Sequence, residues 1–173
     1  MPTRAFVGLG SNLAHPRRQL ARALLRLDAT AGVRVLAASP TYASAPLGDI
    51  AQPDYTNAVA LISTTLPARA LLARLQAIER RQHRRRNADT PRNAPRTLDL
   101  DLLLYGARRF RSKELTLPHP RMHERAFVLL PLTDIAATVT IPGRGLARGF
   151  LSSVRAQRIE RTRTHRPRRF PTT

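Results

Sequence analysis

The segment Leu98-Asp99-Leu100-Asp101-Leu102-Leu103-Leu104 constrains the fold more than any other stretch of the chain. Five leucines favour burial, while two carboxylates two positions apart resist it. In a strand, positions i and i+2 point to the same face. Extended backbone therefore puts Asp99 and Asp101 on one face and Leu98, Leu100 and Leu102 on the other. Two like charges at that separation are unfavourable in a half-buried setting unless something neutralises them. Two neutralisers are open. One is a hard cation, since Mg²⁺ favours one or two carboxylates together with substrate phosphates. The other is arginine, which this chain has in excess. The spacing favours the cation. Arg96, three residues before Asp99, then stands where phosphate oxygens would arrive. Arg84, Arg86 and Arg92 precede it in a segment predicted to be a loop, Arg84–Pro95. Arginine meets phosphate bidentately, and a loop carrying it can close on a triphosphate and exclude water.

The remaining pattern frames that strand. Arg4–Leu9 reads as a strand running into the turn Gly10-Ser11-Asn12. Pro16 opens a helix with Leu20, Ala23, Leu24, Leu27 and Ala31 at helical spacing, and Gly32 ends it. Val33–Tyr42 and Tyr55–Thr64 read as strands separated by a loop, Ser44–Asp54, that holds Pro46, Gly48 and Pro53. Pro67 opens a second helix, with Leu71, Leu72, Leu75 and Ile78 on one side, running to about Gln82. Leu98–Tyr105 is the acid-bearing strand, Phe110–Leu117 a candidate edge strand, and Glu124–Leu132 a short apolar helix. The order strand, helix, strand, strand, helix, strand predicts an α+β ferredoxin-like sandwich, with helices on one face of a mostly antiparallel sheet. One domain is expected over 1–151, followed by a basic, disordered and dispensable tail over 152–173, where Glu160 alone offsets seven arginines.

Charge and composition narrow the function. The formal net charge is +19, which points to polyanionic or phosphorylated partners. Lys113 is the only lysine, so the surplus is an arginine surplus, and about half of it is credited to a GC-rich genome. The alternative to an enzyme is a basic nucleic-acid-binding module on a ferredoxin-like sheet. Aromatic residues are only 5% of the chain, whereas such sheets display aromatics for base stacking, and two carboxylates on the binding face repel a phosphate backbone. No Walker loop, complete dinucleotide fingerprint, histidine metal spacing or Ser/His/Asp set is present. The chain has no cysteine and no run long enough to span a membrane. A cytoplasmic, monomeric protein is expected, binding neither membrane nor nucleic acid.

Five collinear stretches resemble one family. Arg92-Asn93-Ala94-Pro95-Arg96-Thr97-Leu98-Asp99-Leu100-Asp101-Leu102-Leu103 resembles the signature of the hydroxymethyl-dihydropterin pyrophosphokinases of folate biosynthesis. Gly8-Leu9-Gly10-Ser11-Asn12-Leu13 resembles their first strand and turn. Pro46-Leu47-Gly48 with Gln52-Pro53-Asp54-Tyr55-Thr56-Asn57 resembles their pterin-side loop and following strand. Leu117-Pro118-His119-Pro120-Arg121-Met122 and Arg125-Ala126-Phe127-Val128-Leu129-Leu130-Pro131-Leu132 resemble their late motifs. Asn93, Ala94 and His83 depart from the family, which often carries an aromatic, a Gly and a Gly there.

The resemblance implies Mg-dependent transfer of pyrophosphate from ATP to the hydroxymethyl group of a reduced pterin, releasing AMP. It implies two Mg²⁺ on Asp99 and Asp101, with Arg84 and Arg96 at the reacting phosphates. It implies a pterin pocket of Ser44, Ala45, Pro46, Leu47, Tyr55, Asn57 and Phe127. Gln76, Glu79, Arg84, Arg86, Arg92, Arg96, Thr116, His119 and Arg125 would line the ATP side.

Overall fold

In the computed structural model, residues 1–46, 51–82 and 94–162 are described. Alternating apolar residues make the first strand, β1 (Thr3–Ser11). Helix α1 (Pro16–Asp28) buries Leu20, Ala23 and Leu27 at helical spacing. The turn after it needs a left-handed residue, supplied by Gly32 at φ +77, where a Cβ would meet the Thr65 hydroxyl at 2.8 Å. Strands β2 (Val33–Ala38), β3 (Tyr42–Ser44) and β4 (Tyr55–Thr64) follow, then α2 (Ala68–Arg81) and β5 (Asp99–Tyr105). A small hairpin, β6 (Phe110–Arg111) and β7 (Thr116–Leu117), leads to α3 (Ala126–Ile135). The hairpin β8 (Thr140–Ile141) and β9 (Gly145–Leu146), short 3₁₀ turns and β10 (Ile159–Arg161) complete the described chain.

The main sheet has the order β10-β3-β4-β1-β5, with β2 also paired to β4, and every pairing is antiparallel. This is the α+β ferredoxin-like order expected from the element sequence. Period-2 alternation splits the core in two. Ala5, Val7, Leu9, Leu100 and Leu102 join the cluster beneath α1 and α2. Phe6, Val59 and Leu103 join the cluster beneath α3. Helices therefore cover both faces, not one as expected, because α3 is apolar on nearly every side and needs its own cover.

Three expectations change in detail. The predicted strand Val33–Tyr42 is two strands, β2 and β3, broken at Ser39-Pro40-Thr41; Pro40 has no amide to donate. The predicted edge strand Phe110–Leu117 forms its own hairpin off the main sheet. The tail does not begin at 152. Val154 is buried in the α3-side cluster, and Ile159, Glu160 and Arg161 pair with Ser44, Ala43 and Tyr42. Arginine density hid a strand of only three residues. Residues 163–173 lie outside the described residues.

Truncation after Leu151 removes the burial of Val154 and the β10 pairing. It is expected to lower unfolding free energy by about 3 kcal/mol or more, measured by urea denaturation. An unchanged midpoint would contradict the placement of residues 152–162 in the fold.

Candidate active site

Register across β5, β1 and β4 builds the site. Asp99 lies opposite Gly10, and Gly10 lies opposite Asn57. Tyr42 of β3 extends the row from Asn57. Asp101 lies opposite Gly8, and Gly8 opposite Val59. Side chains in one cross-strand row share a face, here the face of α3. The leucines flanking the acids, Leu98, Leu100 and Leu102, go to the opposite core. The two carboxylates thus share one face, as the spacing requires. A Cβ on Gly10 would stand 3.4 Å from Asn57 Oδ1 and 3.9 Å from Asp99 Cβ. Gly10 therefore leaves a floor between the acids and Asn57, two strand spacings or roughly 10 Å across.

The acids sit on an outermost strand, and its open edge is held from outside. Leu100, between the two acids, donates its N–H to Glu79 Oε1 at 2.8 Å. Glu79 is buried, so α2 supplies a strut to the strand through Oε1. The His119 N–H is 2.9 Å from the Leu103 carbonyl. Between Phe6 and Val7 the β1–β5 register shifts, so Leu103 is an extra residue. Its side chain lies 3.5 Å from the position a Gly8 Cβ would take.

Two arginines flank the acids, each over an aromatic ring. Arg96 Nη1 is 2.9 Å from Asp99 Oδ2, its Nε donates to Tyr55 Oη at 3.3 Å, and its guanidinium lies 5.7 Å from the Tyr55 ring centre. Burial opposes the Arg96 charge, but Asp99 and Tyr55 outweigh burial and hold its pKa above the ordinary value. Arg125 lies 5.6 Å from the Phe127 ring centre. Burial lowers its pKa against an opposing pull from Asp101 and Asp99. Arg125 Nε is buried with no hydrogen-bond partner among the described residues, a donor suited to an arriving anion. Of the two neutralisers open to the acids, arginine is present in part: Arg96 reaches one Asp99 oxygen. Burial and the Arg125 charge push His119 down to about 4, against a pull from Asp99, so the imidazole is neutral at pH 7.

On the other side of the floor, Asn57 Nδ2 donates to Ser44 Oγ at 2.8 Å, both groups buried. Ala45 and Pro46 are half-buried beside them. Phe127 packs at the margin of the α3-side core. Gln76 is exposed on α2, and Thr116 is half-buried in the β6–β7 hairpin. Leu47, Arg84, Arg86 and Arg92 lie outside the described residues. Asn12 was missed as a functional residue. It is buried, donates to Gln52 Oε1 and the Pro53 carbonyl, and accepts from Arg96 N at 2.9 Å. One amide therefore braces Arg96 against the loop before Tyr55. Its signal was the polar end of Gly8–Asn12, read only as a turn.

The family profile of 7,8-dihydro-6-hydroxymethylpterin-pyrophosphokinase (HPPK) matches residues 6–137. The chain belongs to this family. A 2-amino-4-hydroxy-6-hydroxymethyldihydropteridine pyrophosphokinase of Pseudomonas aeruginosa is 46% identical over 84% of this chain and 89% of that protein. The Haemophilus influenzae protein of that name is 45% identical over 80% and 84%, and the Methylorubrum extorquens one 40% over 92% and 98%. Among solved structures, a Plasmodium falciparum HPPK-DHPS with pterin and p-hydroxybenzoate superposes with a TM-score of 0.67 at 12% identity. That match covers 88% of this chain and 43% of the other, and it shows the shared fold. No described helix is long and apolar enough to cross a membrane. The family profile and the relatives give the nucleic-acid alternative no support.

Two outcomes follow from this geometry. Gly10→Val fills the floor and is expected to abolish substrate binding, read by calorimetric titration, while circular dichroism stays that of the parent. Binding at parental affinity would contradict the floor. By ¹H NMR, His119 is expected to titrate near 4. An unfolded imidazole binds its proton near 6.5, so between those values only the unfolded chain is protonated. Stability should therefore rise with pH across that window, and His119→Gln should flatten the rise. A midpoint near 6.5 would contradict the burial.

Proposed function

We propose that the floor between Asp99, Asp101 and Asn57 is where pyrophosphate passes from ATP to the hydroxymethyl group of 6-hydroxymethyl-7,8-dihydropterin. The chain is an ATP-dependent diphosphokinase of folate biosynthesis. The observation that carries the site assignment is the row Asp99–Gly10–Asn57, which joins an anionic, arginine-flanked end to an amide-lined end.

Two carboxylates on one face suit Mg²⁺, which completes its shell with water and phosphate oxygens. Among the described residues no group of three or more His, Cys, Asp or Glu could form an all-protein cage, so the acid pair suits a metal that arrives with its nucleotide. Two Mg²⁺ held by Asp99 and Asp101 would neutralise the triphosphate and polarise the β-phosphoryl group.

The residues of the chain do the rest. Arg96 and Arg125 meet the phosphates, and neutral His119 adds a hydrogen bond without adding charge. Arg84, Arg86 and Arg92, from the segment outside the described residues, complete the phosphate contacts, and Gln76 and Thr116 border the nucleotide. Asn57 both donates to and accepts from the pterin edge, with Ser44 fixing its orientation. Ala45, Pro46 and Leu47 wall that edge, and Phe127 and Tyr55 bound the ring. Held in line, the hydroxymethyl oxygen attacks the β-phosphorus. The O–Pβ bond forms, the bond from Pβ to the α–β bridging oxygen breaks, AMP leaves, and the hydroxyl proton passes to solvent. Catalysis is by positioning and charge neutralisation.

With Mg²⁺, ATP and the hydroxymethylpterin, ³¹P NMR is expected to show AMP and a pterin diphosphate. Formation of ADP, or unconsumed ATP, would overturn the assignment.

A further inference from the structure

The segment Val154–Thr162 lies beyond the residues matched by the family profile, 6–137, yet it touches both walls of the proposed pterin pocket. Helix α3 begins without a local cap, since Arg125 at the N-cap makes no side-chain hydrogen bond there. The first helical amide, Ala126 N–H, instead donates to Gln157 Oε1 at 2.9 Å. The same carboxamide donates through Nε2 to the Glu124 carbonyl at 2.7 Å. Both hydrogen-bonding ends of Gln157 are thus committed to the turn carrying Arg125 and Phe127.

The next residues hold the opposite wall. The Arg158 carbonyl accepts from Ala45 N–H at 3.3 Å. Ile159 pairs with Ser44, which orients Asn57. The Arg158 guanidinium pairs with Asp54, just before Tyr55. Upstream, Gln157 N–H donates to the Val154 carbonyl at 3.0 Å, and Val154 is buried in the α3-side core. A strap a few residues long, anchored in that core, therefore links Phe127 on α3 to Ser44 on β3.

We propose that Gln157 is a positioning residue for the pterin: its carboxamide fixes the first turn of α3 to the strand that carries the Ser44 wall. Without it α3 is still held to β3 near its other end, where Tyr42 Oη donates to Asp134 Oδ2 at 2.6 Å, but the first turn that carries Phe127 loses its tie to the strap, and the pterin must supply that ordering when it binds. ATP should be affected less, because Arg125 is the only nucleotide-side residue on that turn. The proposal rests on the assignment of Ser44 and Phe127 to the pterin pocket.

The test compares the full-length chain with Gln157→Leu, Gln157→Glu and Phe127→Ala, measuring KM for pterin and ATP, kcat and Tm. Leucine keeps the bulk and loses both hydrogen bonds. Glutamate keeps the acceptor for Ala126 N–H, favoured as an anion at a helix N-terminus, and loses the donor to the Glu124 carbonyl. Gln157→Leu is expected to raise pterin KM by roughly fivefold or more, with ATP KM and kcat within about twofold. Gln157→Glu should restore part of the loss, through the bond to Ala126 N–H. If Phe127→Ala raises pterin KM and Gln157→Leu does not, the strap proposal is overturned while the pocket stands. If both KM values, kcat and Tm shift together, Gln157 is merely structural and the proposal is overturned. If Gln157→Leu fails to fold, Gln157→Glu decides. A pterin KM between those of the parent and Phe127→Ala supports the proposal, and one raised as far as in Phe127→Ala overturns it. If Phe127→Ala leaves pterin KM unchanged, the pocket assignment itself falls, and the proposal with it.

Discussion

Two carboxylates must stay on one face of an outermost strand without breaking the strand or each other's ionisation. The sheet and its covering layers are arranged around that requirement. The leucines between and around Asp99 and Asp101 sink β5 into the core beneath α1 and α2. Glu79 ties the strand at Leu100, midway between the acids, so an edge amide that would otherwise lack a partner is satisfied. Arg96 pairs with Asp99, and Arg125 adds positive charge felt by both carboxylates. Gly10 of β1 keeps a side chain out of the space between Asp99 and Asn57. Each feature is modest alone; together they hold two like charges on one face of the strand.

The same economy extends across the sheet. Asn12 and Asn57 are buried amides with opposite tasks. Asn12 uses its hydrogen bonds within the protein, bracing Arg96 to the loop before Tyr55. Asn57 uses Nδ2 on Ser44, leaving its carbonyl side facing the Gly10 floor. Gln157 repeats the Asn12 pattern on the far wall. Local rigidity at this site comes from side-chain amides bonded to backbone, where donor and acceptor on one group join two segments at once.

The acid-bearing strand, the two long helices and the antiparallel order were legible in the sequence because they follow periodicity: leucine spacing for α1 and α2, alternation for β1, β4 and β5. The shared face of Asp99 and Asp101 is the simplest consequence of that alternation. Features set by long-range partners were not legible. The bond from Leu100 to Glu79 joins residues with no shared period, and only their distance in the fold reveals a strut. Tyr55 looked like a free aromatic face, and Arg96 lies on it. The strand Ile159–Arg161 was hidden inside an arginine-rich segment, because three residues carry no detectable period and their pairing partner lies over a hundred residues away. The split of Val33–Tyr42 is local in cause, Pro40, and was readable but outweighed by the apolar run.

The central claim is that Asp99 and Asp101 act as one cation-dependent anchor for the triphosphate. It is tested most directly by calorimetric titration of a non-hydrolysable ATP analogue into the parent, Asp99→Asn and Asp101→Asn proteins, each with Mg²⁺ and with EDTA. The parent should bind tightly only with Mg²⁺, and each variant should bind weakly and equally in both conditions. A variant that keeps parental, Mg²⁺-dependent affinity would contradict the claim.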